Sequence, residues 1–318
     1  MTSVDDTIAD DDYDEFALLH ENAEEWQLPY DQSPTVVRSS VEIEAGRTLS
    51  FIRWGTGEPQ LVFLHGGGQN AHTWDTVALA LGRAAVAIDL PGHGRSYRRD
   101  DRDYSPWQNA DALGRALPAI APEAEVVVGM SLGGATTIRL AAERPDLCRR
   151  AVLIDVTPQI NDPTRELTTM ERGSVSLIGG PPAYDSFEEM AHAAIQLSPH
   201  RAASGVRRGV RHNAHRRADG RWTWRYDLFG PRDTSGSGSG KDWSDFTALW
   251  DDVSRISVPT LFVRGALSPF VHDSDIAEMQ RRLPDLRLEV VGGAGHAVQS
   301  DRPLDLVHLI EQFAFPPG

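Results

Sequence analysis

Three short segments carry residue types that could act together on a carbonyl group. The first is Gly129-Met130-Ser131-Leu132-Gly133-Gly134, which follows the apolar run EVVVG and opens the stretch LGGATTIRLAAERP. A serine between small residues at a strand-to-helix turn is the G-x-S-x-G pattern: glycines relieve crowding, the turn lifts the hydroxyl clear of the sheet, and the helix N-terminus adds a positive field. Ser131 is therefore the expected nucleophile. The second segment is His65-Gly66-Gly67-Gly68, after LVFLH. Glycines there let backbone N–H groups face a cavity, and the amides of Gly67 and Leu132 are expected to hold a developing oxyanion. Gly68 and Met130, which flank these donors, are expected to touch substrate. The third is Gly293-Ala294-Gly295-His296, after LRLEVV. An imidazole with a pKa near ~6.5 suits a base that takes a hydroxyl proton at neutral pH, so His296 is the expected general base.

The remaining histidines compete less well. His65 belongs to the glycine loop, and His93 lies in the turn DLPGHGRS, where structural hydrogen bonding is expected. His212 and His215 fall in an arginine-rich helix with no further ligand to suggest a metal site. No metal and no organic cofactor is expected. Among the aromatics, Trp74 follows the glycine loop, and Trp222, Trp224 and Tyr226 alternate along RWTWRYDLF, which puts them on one face of an extended segment. They are candidates to line a substrate pocket, with packing of a cap on a core as the competing reading.

Positioning these loops requires a scaffold of buried strands. The runs LVFLH (61–65), AAVAIDL (84–90), EVVVGM (125–130), AVLIDV (151–156), TLFVRG (260–265) and LRLEVV (286–291) are almost wholly apolar, as strands covered on both faces of a parallel sheet must be. Helical stretches separate them near 71–82, 107–119, 132–144, 273–283 and 302–314, and the alternation predicts an α/β doubly wound sheet. VVRSSVEIEAG and RTLSFIRWGTG predict two further strands with a turn near Gly46. Roughly a hundred residues between Val156 and Thr260 break the rhythm, too many for a plain loop. They hold helical patterns near 164–177, 186–197 and 200–217, and a linker-like TSGSGSG at 234–240. The expected organisation is an acidic N-terminal extension (1–34), a core (35–157 and 246–318) and an inserted cap (158–245).

Composition narrows the partners. The 318 residues are 40% hydrophobic and 24% charged, as in a globular protein, and no apolar run is long enough to span a bilayer. A formal net charge of −15 repels phosphate backbones, so neither nucleic acid nor membrane is expected as a partner. The arginines between Arg201 and Arg232 are flanked by acidic segments and are read first as salt-bridging surface, second as an anion site. Residues 1–32 contain no Lys or Arg, and their first dozen are expected to be disordered. Phe16, Leu18, Leu19 and Trp26 could give a short amphipathic helix over the core or over a neighbouring subunit, so a homo-oligomer stays open. The acidic start lacks a secretory signal, and Cys148 is the only cysteine, which together suggest a cytoplasmic protein.

LVFLHGGG, AIDLPGHGRS, VVVGMSLGG, AVLIDVTP and VVGGAGHAVQ, in that order, make the chain resemble the α/β-hydrolase superfamily over about residues 35–315. The resemblance implies a mostly parallel sheet flanked by helices, with Ser131 and His296 in the catalytic roles. It also exposes a departure. In the common pattern an aspartate follows the strand that here reads TLFVRG, and the chain continues Ala266-Leu267-Ser268-Pro269. Ser268 cannot carry the negative charge that stabilises an imidazolium. Haloalkane dehalogenases and zearalenone-type lactonases place their acid after the preceding strand, where this chain has Asp155. Asp155 is therefore the expected third member, with Asp273 and Asp275, more suited to capping a helix, as the alternatives. The implied reaction is hydrolysis of a small-molecule carboxylic ester or lactone through an acyl-enzyme, in the direction of a zearalenone-type macrolactone. Phthalate or other aryl-alkyl monoesters are alternatives, as is C–C hydrolysis of ring-cleavage products, against which Ser268 counts. Dehalogenases and epoxide hydrolases use an aspartate nucleophile where this chain has Ser131, and an intact Ser131 and His296 argue against a non-enzymatic receptor.

Overall fold

The computed structural model describes residues 13–160, 183–199, 201–227 and 245–316. The helical pattern at 164–177, the TSGSGSG segment and the first dozen residues lie outside this set. Each of the six apolar runs forms a strand. In chain order the strands are β1 (Val36–Glu44), β2 (Arg47–Trp54), β3 (Leu61–Leu64), β4 (Ala85–Ile88), β5 (Val126–Met130), β6 (Ala151–Ile154), β7 (Ala214–Arg216), β8 (Trp222–Trp224), β9 (Thr260–Gly265) and β10 (Arg287–Val291). Eight of them make one sheet in the order β1-β2-β4-β3-β5-β6-β9-β10, and β7 pairs with β8 in a separate hairpin. From β4 to β10 every pairing is parallel; β1 and β2 form the expected antiparallel hairpin, and Gly46 makes its turn at φ 74°.

Alternation along the strands divides the interior in two. Val62 and Leu64 join an apolar cluster with Leu113, Leu117, Ile138 and Met279, whereas Leu61 and Phe63 join another with Trp74, Val77, Leu306 and Ile310. Both faces are thus covered, and each fully buried aliphatic side chain contributes about 1.5–3 kcal/mol relative to exposure. The covering helices are α1 (Leu19–Glu25), α2 (Asp75–Leu81), α3 (Pro106–Ile120), α4 (Leu132–Glu143), α5 (Phe187–Gln196), α6 (Ala203–Asn213), α7 (Leu249–Val253), α8 (Asp273–Arg282), α9 (Val298–Asp301) and α10 (Pro303–Ala314). A 3-10 turn, Ala71–Trp74, leads into α2. Among the described residues no helix is long and apolar enough to cross a membrane.

The N-terminal segment lies over the core, with Leu19 and Ala23 buried and Phe16 packed beside them. It is fastened by charge: Glu15 pairs with Arg38 at 2.6 Å and His72 at 2.9 Å, and Arg38 pairs with buried Asp89 at 2.7 Å. Outside the sheet, α5, α6 and the β7–β8 hairpin enclose their own apolar cluster of Tyr184, Met190, Val210, Trp224 and Tyr226. The arginines of this region are mostly engaged in ion pairs. Arg207 pairs with Glu188, Arg208 with Glu25, Arg221 with Asp185 and Arg201 with Asp301. Cys148 is buried, and burial pushes its thiol up to about 12.

Candidate active site

β5 ends at Met130 and α4 begins at Leu132, so Ser131 alone makes the turn. Its φ of 52° and ψ of −117° lie where L residues are seldom found, a strain of about 1–3 kcal/mol that the surroundings must hold. They hold it on both sides. The Ser131 N–H donates to the Ile154 carbonyl at 3.2 Å, and the Ser131 carbonyl accepts from the Ala135 N–H at 2.8 Å. The motif glycines are required by closeness: a Cβ on Gly129 would lie 2.4 Å from the Gly133 carbonyl oxygen, and one on Gly133 would lie 2.2 Å from that of Leu64. Helix α4 can therefore approach β5 and β3 only without side chains at these two positions. Met130 and Leu132 are buried, while Ser131 stays partly exposed.

Asp155 follows β6, again in a positive-φ conformation (50°), and is wholly buried. Three donors converge on its carboxylate. His296 Nδ1–H donates to Oδ2 at 2.7 Å, the Gly265 N–H donates to Oδ1 at 3.0 Å, and the Ser268 hydroxyl donates to Oδ2. An acceptor-only carboxylate at Nδ1 places the ring proton there and leaves Nε2 as the acceptor of the neutral imidazole. Nε2 is buried and has no hydrogen-bond partner among the described residues. Gly265 lets the end of β9 meet the histidine loop, since a Cβ on it would lie 2.0 Å from the Gly295 carbonyl oxygen. Phe270 packs on the imidazole at 4.6 Å between ring centroids.

The slot that looked empty in the sequence therefore holds a hydroxyl that donates to Asp155. Hydrogen bonds to charged groups are worth about 1.5–3 kcal/mol. Ser268→Ala is accordingly expected to lower kcat about tenfold with KM unchanged, read by steady-state ester hydrolysis; a kcat within twofold of wild type would show that Ser268 does not support Asp155. The alternative acids are occupied otherwise. Asp273 is exposed and pairs with Arg264, while Asp275 accepts from the His272 N–H at 3.0 Å and caps α8.

The glycine loop stands beside the serine. A Cβ on Gly66 would lie 3.3 Å from the Ser131 Cβ and 2.6 Å from the Met130 sulfur, whereas one on Gly67 would meet nothing within 4 Å. The space beside the Gly67 Cα is thus open, and the Leu132 amide, first in its helix, has no intrahelical acceptor. Two glutamines brace the loop: Gln69 accepts from the Gly66 N–H at 3.1 Å, and Gln299, in α9 just past His296, donates to Thr73 at 3.2 Å. His93 makes the structural hydrogen bonds expected of it, and His65, in the glycine loop, likewise holds backbone. His65 Nε2 accepts from the Leu90 N–H at 2.9 Å, and burial pushes His65 down to about 3. Burial also lowers His93, whose Nε2 accepts from the Gly68 N–H at 3.1 Å.

Several candidate substrate residues are placed elsewhere. Trp74 is fully buried and stacks on Phe63 at 5.0 Å, so it fills the core under the loop. Gly68 is turned inward: its N–H is taken by His93 and its carbonyl accepts from the Asn213 side chain at 2.5 Å. Met130, 1% exposed, packs beneath Gly66 and belongs to the core cluster. Trp224 stacks on Tyr226 at 5.9 Å and meets Tyr184 edge-on, so these residues fill the apolar cluster enclosed by α5, α6 and the β7–β8 hairpin, although the Tyr226 backbone bridges to His93 next to the loop. Trp222 packs on Phe187 and lines a cleft of about 1120 Å3 between α1 and α6. That cleft includes none of Ser131, Asp155 or His296. The bracing by Gln69, Gln299 and Asn213 has no signature in the sequence; lone amide residues carry no motif, and only the fold brings them together.

Comparison with known proteins agrees with this fold. The family model described as the alpha/beta hydrolase fold matches residues 59–303. The chain is 47% identical over 298 residues to the esterase Rv0045c of Mycobacterium tuberculosis, covering 93% of this chain and 94% of that protein. A crystal structure of that esterase superposes with a TM-score of 0.80 at 44% identity, over 94% of this chain and 97% of the other. The sn-1-specific diacylglycerol lipase ABHD11 of Mus musculus is 28% identical over 269 residues, 80% of each chain. The parallel sheet, the strained serine turn and these matches together establish that the chain belongs to the α/β-hydrolase family.

Proposed function

We propose that this protein hydrolyses carboxylic esters through an acyl-enzyme on Ser131. The observation that carries the reading is the buried pair of Asp155 and His296, joined at 2.7 Å through Nδ1, on the sheet edge that also bears the Ser131 turn. In the proposed reaction, His296 Nε2 takes the Ser131 proton as Oγ attacks the carbonyl carbon. The tetrahedral oxyanion is received by the amides of Gly67 and Leu132, a contribution of about 2.7–4 kcal/mol per donor. Nε2 then gives its proton to the leaving alkoxide. A water deprotonated by the same nitrogen releases the acid and returns the serine. Asp155 stabilises the imidazolium throughout and keeps its own proton state.

The esterase and lipase names of the similar proteins support an acyclic ester as the substrate. A lactone is the second reading, because an acid after β6 is the arrangement that resembles zearalenone-type lactonases. Hydrolysis of p-nitrophenyl esters of increasing acyl length, run beside zearalenone, tests both. Turnover of short or medium esters with an initial burst of one p-nitrophenol per chain is the expected result. Failure to exceed the uncatalysed rate on every ester and on the lactone would contradict the proposal.

A further inference from the structure

Behind the glycine loop lies a second cluster of chemically active side chains, which the proposed hydrolysis does not use. His72 sits in the 3-10 turn Ala71–Trp74, Asp75 opens α2, and His212 is near the C-terminal end of α6 in the cap. We propose that these three residues form a binding site for a divalent transition-metal ion of the zinc class, which ties the cap to the core.

One ligand atom from each of the three residues lies within 4.8 Å of the others, and all three side chains are buried. His72 Nδ1 is 2.8 Å from Asp75 Oδ2, and His212 Nε2 is 3.9 Å from the same oxygen. The two imidazoles stack nearly parallel, with centroids 3.9 Å apart, so binding one ion through both requires one ring to turn until its in-plane lone pair meets that of the other. Two imidazole nitrogens and one carboxylate make the N/O donor set of zinc, copper and nickel; magnesium and calcium call for more oxygens.

Two observations distinguish this cluster from a self-contained hydrogen-bond network. Asp75 is 1% exposed, and its Oδ1 has no hydrogen-bond partner among the described residues. A carboxylate oxygen in the interior without a donor is costly unless a cation or water meets it. The two histidines also border a cavity of about 10 Å3, with Glu15 and the guanidinium groups of Arg38, Arg95 and Arg225, about the room one water-sized sphere occupies. The outer nitrogens are already oriented, as metal-binding imidazoles require. His72 Nε2 meets Glu15 at 2.9 Å, and His212 Nδ1 meets the Tyr13 hydroxyl. Arg38, 3.2 Å from His72 Nε2, is countered by Glu15 and Asp89.

The site is coupled to the loop beside Ser131 by short contacts. Asn70 donates to the His212 carbonyl at 3.0 Å, and Asn213, the next residue, donates to the Gly68 carbonyl. A metal held here fixes His212 against the segment that carries the glycine loop.

Full-length protein stripped of metal by a chelator and titrated with zinc chloride is expected to bind one ion per chain by calorimetry, with a higher Tm; magnesium chloride is expected to do neither. His212→Gln and Asp75→Asn should each weaken zinc binding about tenfold or more. Ser131→Ala and His296→Ala should leave it unchanged, which separates this site from capture at the imidazole of His296. Copper(II) bound to the wild type should show coupling to two imidazole nitrogens by electron paramagnetic resonance, a reading that stands even if Asp75→Asn fails to fold. Zinc affinity unchanged in His212→Gln, loss of binding in His296→Ala, copper without two-nitrogen coupling, or no zinc binding up to roughly 1 mM would overturn the proposal.

Discussion

Ser131→Ala is expected to lower kcat by about 10^4-fold or more on every ester the wild type hydrolyses, with Tm within a few degrees of wild type. The size follows from what the hydroxyl supplies. Without it there is no covalent intermediate, and His296 has no proton to take, so the proposed base and acid contribute almost nothing further. What remains is the stabilisation offered by the Gly67 and Leu132 amides to a water-driven reaction, which in serine hydrolases still exceeds the rate in water by about 10^3–10^4. Stability should change little because alanine keeps the Cβ, and the strained turn is held by backbone bonds to Ile154 and Ala135 that need no hydroxyl. Substrate binding should persist, so KM separates from kcat. Steady-state kinetics with thermal unfolding on the same preparation checks all three.

Asp155→Asn is expected to lower kcat by about 10^3–10^4 while changing Tm far less than kcat. An asparagine oxygen can accept from only some of the three donors that now converge on the carboxylate, from His296, Gly265 and Ser268. Its NH2 group, facing Nδ1, favours the tautomer with the proton on Nε2, and that nitrogen then cannot take a proton from serine. The imidazolium also loses its buried counter-charge. Asp273→Asn is the control: that side chain is exposed and pairs only at the surface with Arg264, so kcat should stay within about twofold. Loss of activity in Asp273→Asn with activity retained in Asp155→Asn would move the acid to the later loop.

The scaffold was readable in the sequence because parallel strands covered on both faces must be apolar throughout. LVFLH and EVVVGM therefore stood out against the amphipathic stretches between them, and they lie side by side as β3 and β5. Ser131 and Asp155 were legible for a related reason: each follows such a run directly, where a chain leaving a strand presents its next residue at the sheet edge. Orientation was less legible. Trp74 adjoins the glycine loop in sequence, but the 3-10 turn rotates it under the sheet onto Phe63, and no pattern in a four-residue turn reveals that rotation. Met130 follows from alternation: with Val126 and Val128 it faces the interior of one sheet face, so its neighbour Ser131 alone reaches the rim. Ser268 shows the limit of reading by slots. As a missing charge it looked like a defect, whereas in space its hydroxyl donates to the Asp155 carboxylate. His212 had no visible metal partners because its neighbours, His72 and Asp75, come from the core, far away in the chain.

Ser131 is the group expected to be acylated during turnover. Reaction with a fluorophosphonate, followed by proteolysis and mass spectrometry, tests this most directly. One adduct per chain is the expected result, mapped to the peptide containing Gly129-Met130-Ser131-Leu132-Gly133, formed in step with loss of esterase activity and absent from Ser131→Ala. Full inactivation with the adduct on another residue, or hydrolysis that continues with Ser131 fully modified, would contradict the account.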